Sequence, residues 1–368
     1  MRTIRRLIYG EVFSSVGFVT LCFLSLFFFF DFVEEIQSIG RAGAGRYQLV
    51  QALSYVALMI PSHLYELLPI AVLIGTIFVM ARFAQSSQYT ILRTSGLGPG
   101  RALKSLLWLG AVFVLLTFLL GDYISPAADR SAQLLKARYQ GLITIGHTGA
   151  WLKEKQQYSQ YAVNIGALES DGSMRGVRIF EFDNQGFLVS MTQAETARHG
   201  TDDAWHLKQV DRTEFPPRNT EPPRVDRTRV DDFRWPNEIS AEMVSAALLK
   251  PERMSTYDLF QYIRHLDANQ QSAQRYEIEF WKKVFYPLSC LVMVVLALPF
   301  AYLHFRSGGI AGYVFGGVMA GISFFLLNNV FGYIGEMQNW QPWLTAALPG
   351  LIYSLLSLTA FGWLVLRR

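Results

Sequence analysis

The side chains of this 368-residue chain that could do chemistry are sparse and scattered. Its six histidines form no His-Glu-x-x-His pair and fall in no Cys/His spacing that would hold a metal. There is no G-x-x-x-x-G-K-[ST] loop to cradle a nucleotide. The nearest glycine-rich stretch, Gly96 to Arg101, lacks the Lys-Ser/Thr pair and reads as a helix stop. What remains are polar groups inside apolar surroundings. His63 and Glu66 lie three residues apart on one helical face, which suits either an interfacial packing role or a polar path. Asn328 and Asn329 sit deep in another apolar run, where amides bond neighbouring helices or contact a substrate. Groups of this kind bind and orient. The chain offers little chemistry beyond them.

The elements that carry these groups are membrane-length. A spanning helix needs about 20 mostly apolar residues, and six runs qualify: residues 12–33, 64–82, 103–122, 281–304, 310–334 and 344–366. Between the third and fourth lies a polar block that no bilayer could host. The chain therefore divides into residues 1–124 (three spans), 125–275 (an extramembrane domain) and 276–368 (three more spans). A hydrophobic content of 51% is what a strongly apolar part averaged with an ordinary soluble one should show. A net charge of only +4 calls for no nucleic-acid partner.

Lys and Arg near span ends are retained in the cytoplasm. Arg2, Arg5 and Arg6 precede the first span, Arg82, Arg93, Arg101 and Lys104 fill the loop between spans two and three, and Arg367 and Arg368 close the sequence. Both termini are therefore expected in the cytoplasm and the central domain on the opposite side. The first apolar run is too long for a cleavable signal and leads into Asp31-Phe-Val-Glu-Glu without a small-residue cleavage site, so it reads as a retained span. Cys22 and Cys290 both lie in spans, so the exported domain has no disulfide and must be held by its own core or by a partner.

That domain reads as β-rich and sandwich- or jelly-roll-like. Residues 176–182 alternate, Asp183, Asn184, Gln185 and Gly186 supply turn chemistry, and residues 187–189 return the chain. Residues 161–165 and 205–210 are further strands, and Pro216, Pro217, Pro222 and Pro223 mark an exposed connection. Ser255 then caps a short helix over residues 257–266. In the basic loop, residues 85–94 form a short helix with Tyr89, Ile91 and Leu92 as apolar contacts, ended at Ser95 and Gly96. By spacing alone it is either a docking knob or a helix lying on anionic lipid.

Taken in order, residues 32–36 (Phe-Val-Glu-Glu-Ile), 65–75 (Tyr-Glu-Leu-Leu-Pro-Ile-Ala-Val-Leu-Ile-Gly), 93–96 (Arg-Thr-Ser-Gly), 149–153 (Gly-Ala-Trp-Leu-Lys), 262–266 (Tyr-Ile-Arg-His-Leu), 280–288 (Phe-Trp-Lys-Lys-Val-Phe-Tyr-Pro-Leu) and 297–300 (Ala-Leu-Pro-Phe) resemble the inner-membrane lipopolysaccharide export permeases of the LptF/LptG family, its G member more than its F member. The resemblance runs over essentially the whole chain.

It implies a six-span half-permease of a Gram-negative inner membrane with a periplasmic jelly roll, paired with an LptF-like sister and an LptB-like ATPase dimer. ATP and Mg would then be used in that separate subunit, and this chain would need no cofactor. It implies passage of lipopolysaccharide through an LptC-like single-span regulator to an LptA-like bridge.

In that frame residues 84–95 become the coupling helix, with Gln85, Gln88, Tyr89, Leu92 and Arg93 on the ATPase. Relatives often carry an acid where this chain has Gln88, which shifts the contact toward packing. Basic residues after the first span of relatives correspond here to Asp31, Gln37 and Ser38. Arg41 and Arg46 are the nearest substitutes, and Lys136 and Arg138 lie close to a basic pair that would meet lipid phosphates, or else stand as solvated charges at the membrane surface. Phe27, Phe30, Phe324 and Leu327 would line the cavity or its gate. Two other classes stay open: an envelope scaffold or sensor without a transported substrate, and a secondary transporter, which should show inverted repeats.

Overall fold

The computed structural model describes residues 2–37, 39, 47–86, 88, 91, 94, 98–140, 150–155, 159–168, 173–200, 204–216, 225–237, 251–302 and 310–363. Six of its helical segments are long and apolar enough to cross a membrane. Helix α1 is Arg2–Ile36, α2 is Leu49–Gln85, and α3 is Pro99–Leu119, which continues through a π-helical turn, Leu120–Ile124, into α4, Ser125–Gln140. The fourth span is built in pieces: α6 (Gln274–Phe285), a 3-10 turn (Tyr286–Leu288), α7 (Ser289–Ala297) and a second 3-10 turn (Leu298–Tyr302), α5 being the short helix Thr256–Ala268. Helices α8 (Ile310–Met337) and α9 (Pro342–Phe361) complete the set.

Helix α2 starts 15 residues before the apolar run expected at 64; residues 49–63 are themselves mostly apolar, broken by Gln51, Ser54, Ser62 and His63, and belong to the same helix. Pro61 and Pro69 lie inside α2; within a helical bundle, neighbours re-satisfy the carbonyls a proline frees.

The chain forms two compact units. The first comprises residues 1–33, 59–128 and 274–368. Its core is α2: Val72, Met80 and Phe83 pack with Leu109, Phe113, Val294 and Leu298, while Leu73 and Ile77 pack with Met293, Phe324 and Tyr353. Lipid is as apolar as leucine, so helices associate here by close approach at small residues. A Cβ added at Gly75 would sit 2.8 Å from the Val16 backbone nitrogen, and one at Gly317 would sit 2.8 Å from Ile77 Cδ1. Outward, α1 presents Phe18, Leu21 and Phe29, α8 presents Phe315 and Leu326, and α9 presents Leu355 and Leu358.

The second unit comprises residues 34–58 and 129–273. It thus takes in the connection between α1 and α2 as well as the central polar block. Six strands, β1 (Ala150–Lys155), β2 (Ser159–Leu168), β3 (Met174–Asp183), β4 (Leu188–His199), β5 (Ala204–Glu214) and β6 (Asp226–Pro236), pair antiparallel in sequence order as one meandering sheet. One face is apolar: Val163, Ile165, Val177, Ile179, Ala194, Ala197, Trp205, Leu207 and Val210 are buried. Residues 205, 207 and 210 all point inward because Gln209 takes φ 52°, which resets the alternation. In the β3–β4 turn Asp183 Oδ1 accepts the N–H groups of Gln185 and Phe187, each at 2.8 Å, and Gly186 takes φ 85°. Ser255 caps α5 in a reciprocal box with Asp258, and Asp258 also pairs with Arg130.

Candidate functional site

Several polar groups of the first unit are paired, most of them across helices. His63 Nε2 lies 2.6 Å from Asp31 Oδ2, joining α2 to α1, with the Phe27 ring 5.1 Å from the imidazole. His63 and Glu66 share one helical face, and the partner that His63 takes is Asp31, 32 residues away. Ser62 and Ser125 hydroxyls meet at 2.6 Å. On the fourth span Gln274 Nε2 donates to the carbonyls of Gly335 and Trp340 at 3.2 and 2.6 Å, Lys282 pairs with Glu279 at 2.6 Å, and Lys283 Nζ donates to the Gly121 carbonyl at 2.9 Å. The Tyr286 hydroxyl donates to the Glu66 carbonyl at 2.5 Å, and the Tyr65 and Tyr286 rings meet at 5.2 Å. Two sequence motifs far apart in the chain, at 65–75 and 280–288, thus close on one another. Asn328 is half-buried and Asn329 exposed. Among the described residues no group of His, Cys, Asp and Glu side chains could hold a metal ion.

The second unit holds the one basic candidate whose side chain is described. Lys136 Nζ donates to Glu35 Oε2 at 2.8 Å and lies 4.6 Å from the Tyr55 ring centroid. Glu35, 5% exposed, also accepts the Tyr47 hydroxyl at 2.7 Å. Burial and the adjoining Glu35 carboxylate push the Tyr47 phenol well above its ordinary range, so it stays a neutral donor. The charge of Lys136 is therefore already answered within the chain. Arg138 lies on α4, with its side chain outside the described residues, as are Arg41 and Arg46 altogether.

Of the docking residues, Gln85 ends α2 and is exposed, and Gln88 is helical and exposed, as are its neighbours Ile91 and Thr94. Tyr89, Leu92 and Arg93 lie outside the described residues. Next to this segment Arg82 pairs with Glu11 at 3.2 Å, tying α2 to α1. Of the four apolar candidates, Phe30 is 59% exposed on α1 and Phe27 half-buried. Phe324 turns into the helix core at 3% exposure, 5.1 Å from the Tyr353 ring and 6.4 Å from Tyr286, with Leu327 packed at the edge of that cluster. The neighbours Phe325 and Leu326 face outward instead.

Six membrane-length helices interrupted by an antiparallel sheet define a multi-pass membrane protein with an inserted β domain. The sequence profile of the lipopolysaccharide export system permeases LptF/LptG matches residues 6–366, and the chain belongs to that family. It is 26% identical to the lipopolysaccharide export system permease protein LptG of Escherichia coli K12, over 99% of this chain and 98% of that relative. It is likewise 26% identical to the LptG of Haemophilus influenzae, over 100% of this chain and 98% of that protein.

Proposed function

We propose that this chain is the G-type half of a two-permease exporter driven by a separate ATPase. Its F-type sister covers the exposed apolar faces of the outer helices, two LptB-like ATPase subunits bind from the cytoplasm, and ATP with its Mg is used there. Both termini then face the cytoplasm and the β unit the periplasm, as the basic loops require. The observation that carries the reading is the family match from residue 6 to 366 on a chain with this six-helix and inserted-sheet plan.

The work is mechanical. ATPase closure pushes the segment of Gln85, Gln88, Tyr89, Leu92 and Arg93, the paired permeases narrow their cavity, and acyl chains move from the bilayer toward the apolar face of the sheet. From there an LptC-like protein and an LptA-like bridge take the lipid. The exposure of Phe30 and the partial exposure of Phe27 suit a cavity lining, whereas Phe324 acts from behind as packing and Leu327 at its edge. Arg41, Arg46, Lys136 and Arg138 meet the lipid phosphates, and at Lys136 a phosphate has to compete with Glu35.

The test is to co-express the chain with its sister and ATPase in a lipopolysaccharide-containing membrane, purify through a tag on this chain, and identify what accompanies it. Recovery of an F-type permease, an ATPase and lipid A supports the exporter. Recovery of the chain without ATPase and without lipid A moves the assignment to an envelope scaffold.

A further inference from the structure

Span three changes helical form where it meets Pro126. Proline has no N–H, so one carbonyl in the preceding turn loses its backbone donor whichever form the helix takes. With α bonding, four residues back, the orphan is the Asp122 carbonyl; with π bonding, five back, it is that of Gly121. The chain takes the π form over Leu120–Ile124, the Ser125 N–H donating to the Leu120 carbonyl. At the orphaned Gly121 carbonyl the Lys283 ammonium donates at 2.9 Å.

That lysine is only 8% exposed, and its Nζ lies 5.6 Å from the centroid of the Tyr65 ring. The ring fits because residue 121 is glycine: a Cβ there would run into it. Tyr65 in turn packs on Tyr286, whose hydroxyl reaches the Glu66 carbonyl, so the arrangement closes through α2, span three and span four.

We propose that Lys283 is a positioning residue that holds span three in its π register by capping the carbonyl that Pro126 orphans. A backbone carbonyl in hydrocarbon needs a donor, and a buried ammonium needs acceptors. Each answers the other here. Slipping to the α register would hand the Gly121 carbonyl to the Ser125 N–H and orphan Asp122 instead. It would also turn every side chain after Ser125 by about 100° around the helix axis, the angle of one residue. Two registers that differ by one backbone bond make a two-state element of the kind interfaces use to switch, and Lys283 selects one of them.

The test is a cycle in the full chain, purified in lipid nanodiscs: Lys283→Met, Lys283→Arg, Pro126→Ala and the Met/Ala double variant. Pro126→Ala returns an N–H to Gly121, so the lysine is no longer required there. Lys283→Met is expected to lower Tm by several degrees, Lys283→Arg to stay near wild type, and the double variant to recover at least about half of the loss, the non-additivity of residues that share a partner. Additive losses overturn the proposal, and so does an arginine variant as damaged as the methionine one. If Lys283→Met gives no folded protein, recovery of folded double variant supports the proposal and its failure overturns it. The cycle is independent of the exporter reading: thermal coupling with no lipopolysaccharide release by the assembled wild-type complex would sink that reading and leave the register assignment standing.

Discussion

Glu35 is the side chain with the widest consequences for what the basic residues can do. It is buried, it holds Lys136 at 2.8 Å, and it takes the Tyr47 hydroxyl at 2.7 Å. Glu35→Gln keeps an acceptor for the tyrosine and removes the counter-charge. Because Lys136 is about a third exposed, the loss is expected at about 1 kcal/mol, read as a Tm lowered by roughly 2–4 °C. Under the exporter reading the same variant frees the ammonium, so a bisphosphorylated lipid should bind more tightly; unchanged affinity would remove Lys136 from the phosphate-binding set. Lys136 was visible in the sequence as a basic residue after the third span. Its carboxylate was not, because the two are 101 residues apart and only the packed helices bring them together. The same holds for Asp31, which the sequence shows only as an acid at the end of the first span and which turns out to hold His63.

At the scale of elements, hydropathy located all six spans, and alternation located β2 to β5, since burial imposes those periods directly on residue type. Their limits and interruptions were less legible. Helix α2 begins 15 residues early, and the π turn joins Pro126 to Lys283, a pairing that no window of local sequence contains. Close helix approach is testable at Gly75, where a side chain would meet the Val16 backbone at 2.8 Å. Gly75→Val should push α1 from α2 and cost about 1–3 kcal/mol, seen as a lower Tm. Gly10→Val, with nothing within 4 Å of its added Cβ, should leave Tm nearly unchanged. Equal effects at both sites would mean that helix propensity rather than contact dominates.

For the whole molecule, the exposed phenylalanines and leucines of α1, α8 and α9 must face lipid or another subunit, since water would not tolerate so large an apolar surface. In the proposed assembly the segment after α2 meets the ATPase, so Tyr89→Asp with Leu92→Asp should abolish ATPase co-purification while membrane insertion stays normal; full assembly and ATPase activity in that variant would refute the docking assignment. What the sequence determined by itself was the membrane plan, the inserted β domain and the family resemblance, because each is written in local composition, period or ordered motifs. What only the tertiary structure decided was which polar groups meet. Asp31 finds His63, Glu35 finds Lys136, and Lys283 finds Gly121, because in a low-dielectric interior a charge or an orphaned carbonyl must be answered by whatever the packing brings within reach, and the packing is a property of the assembled helices rather than of any stretch of chain.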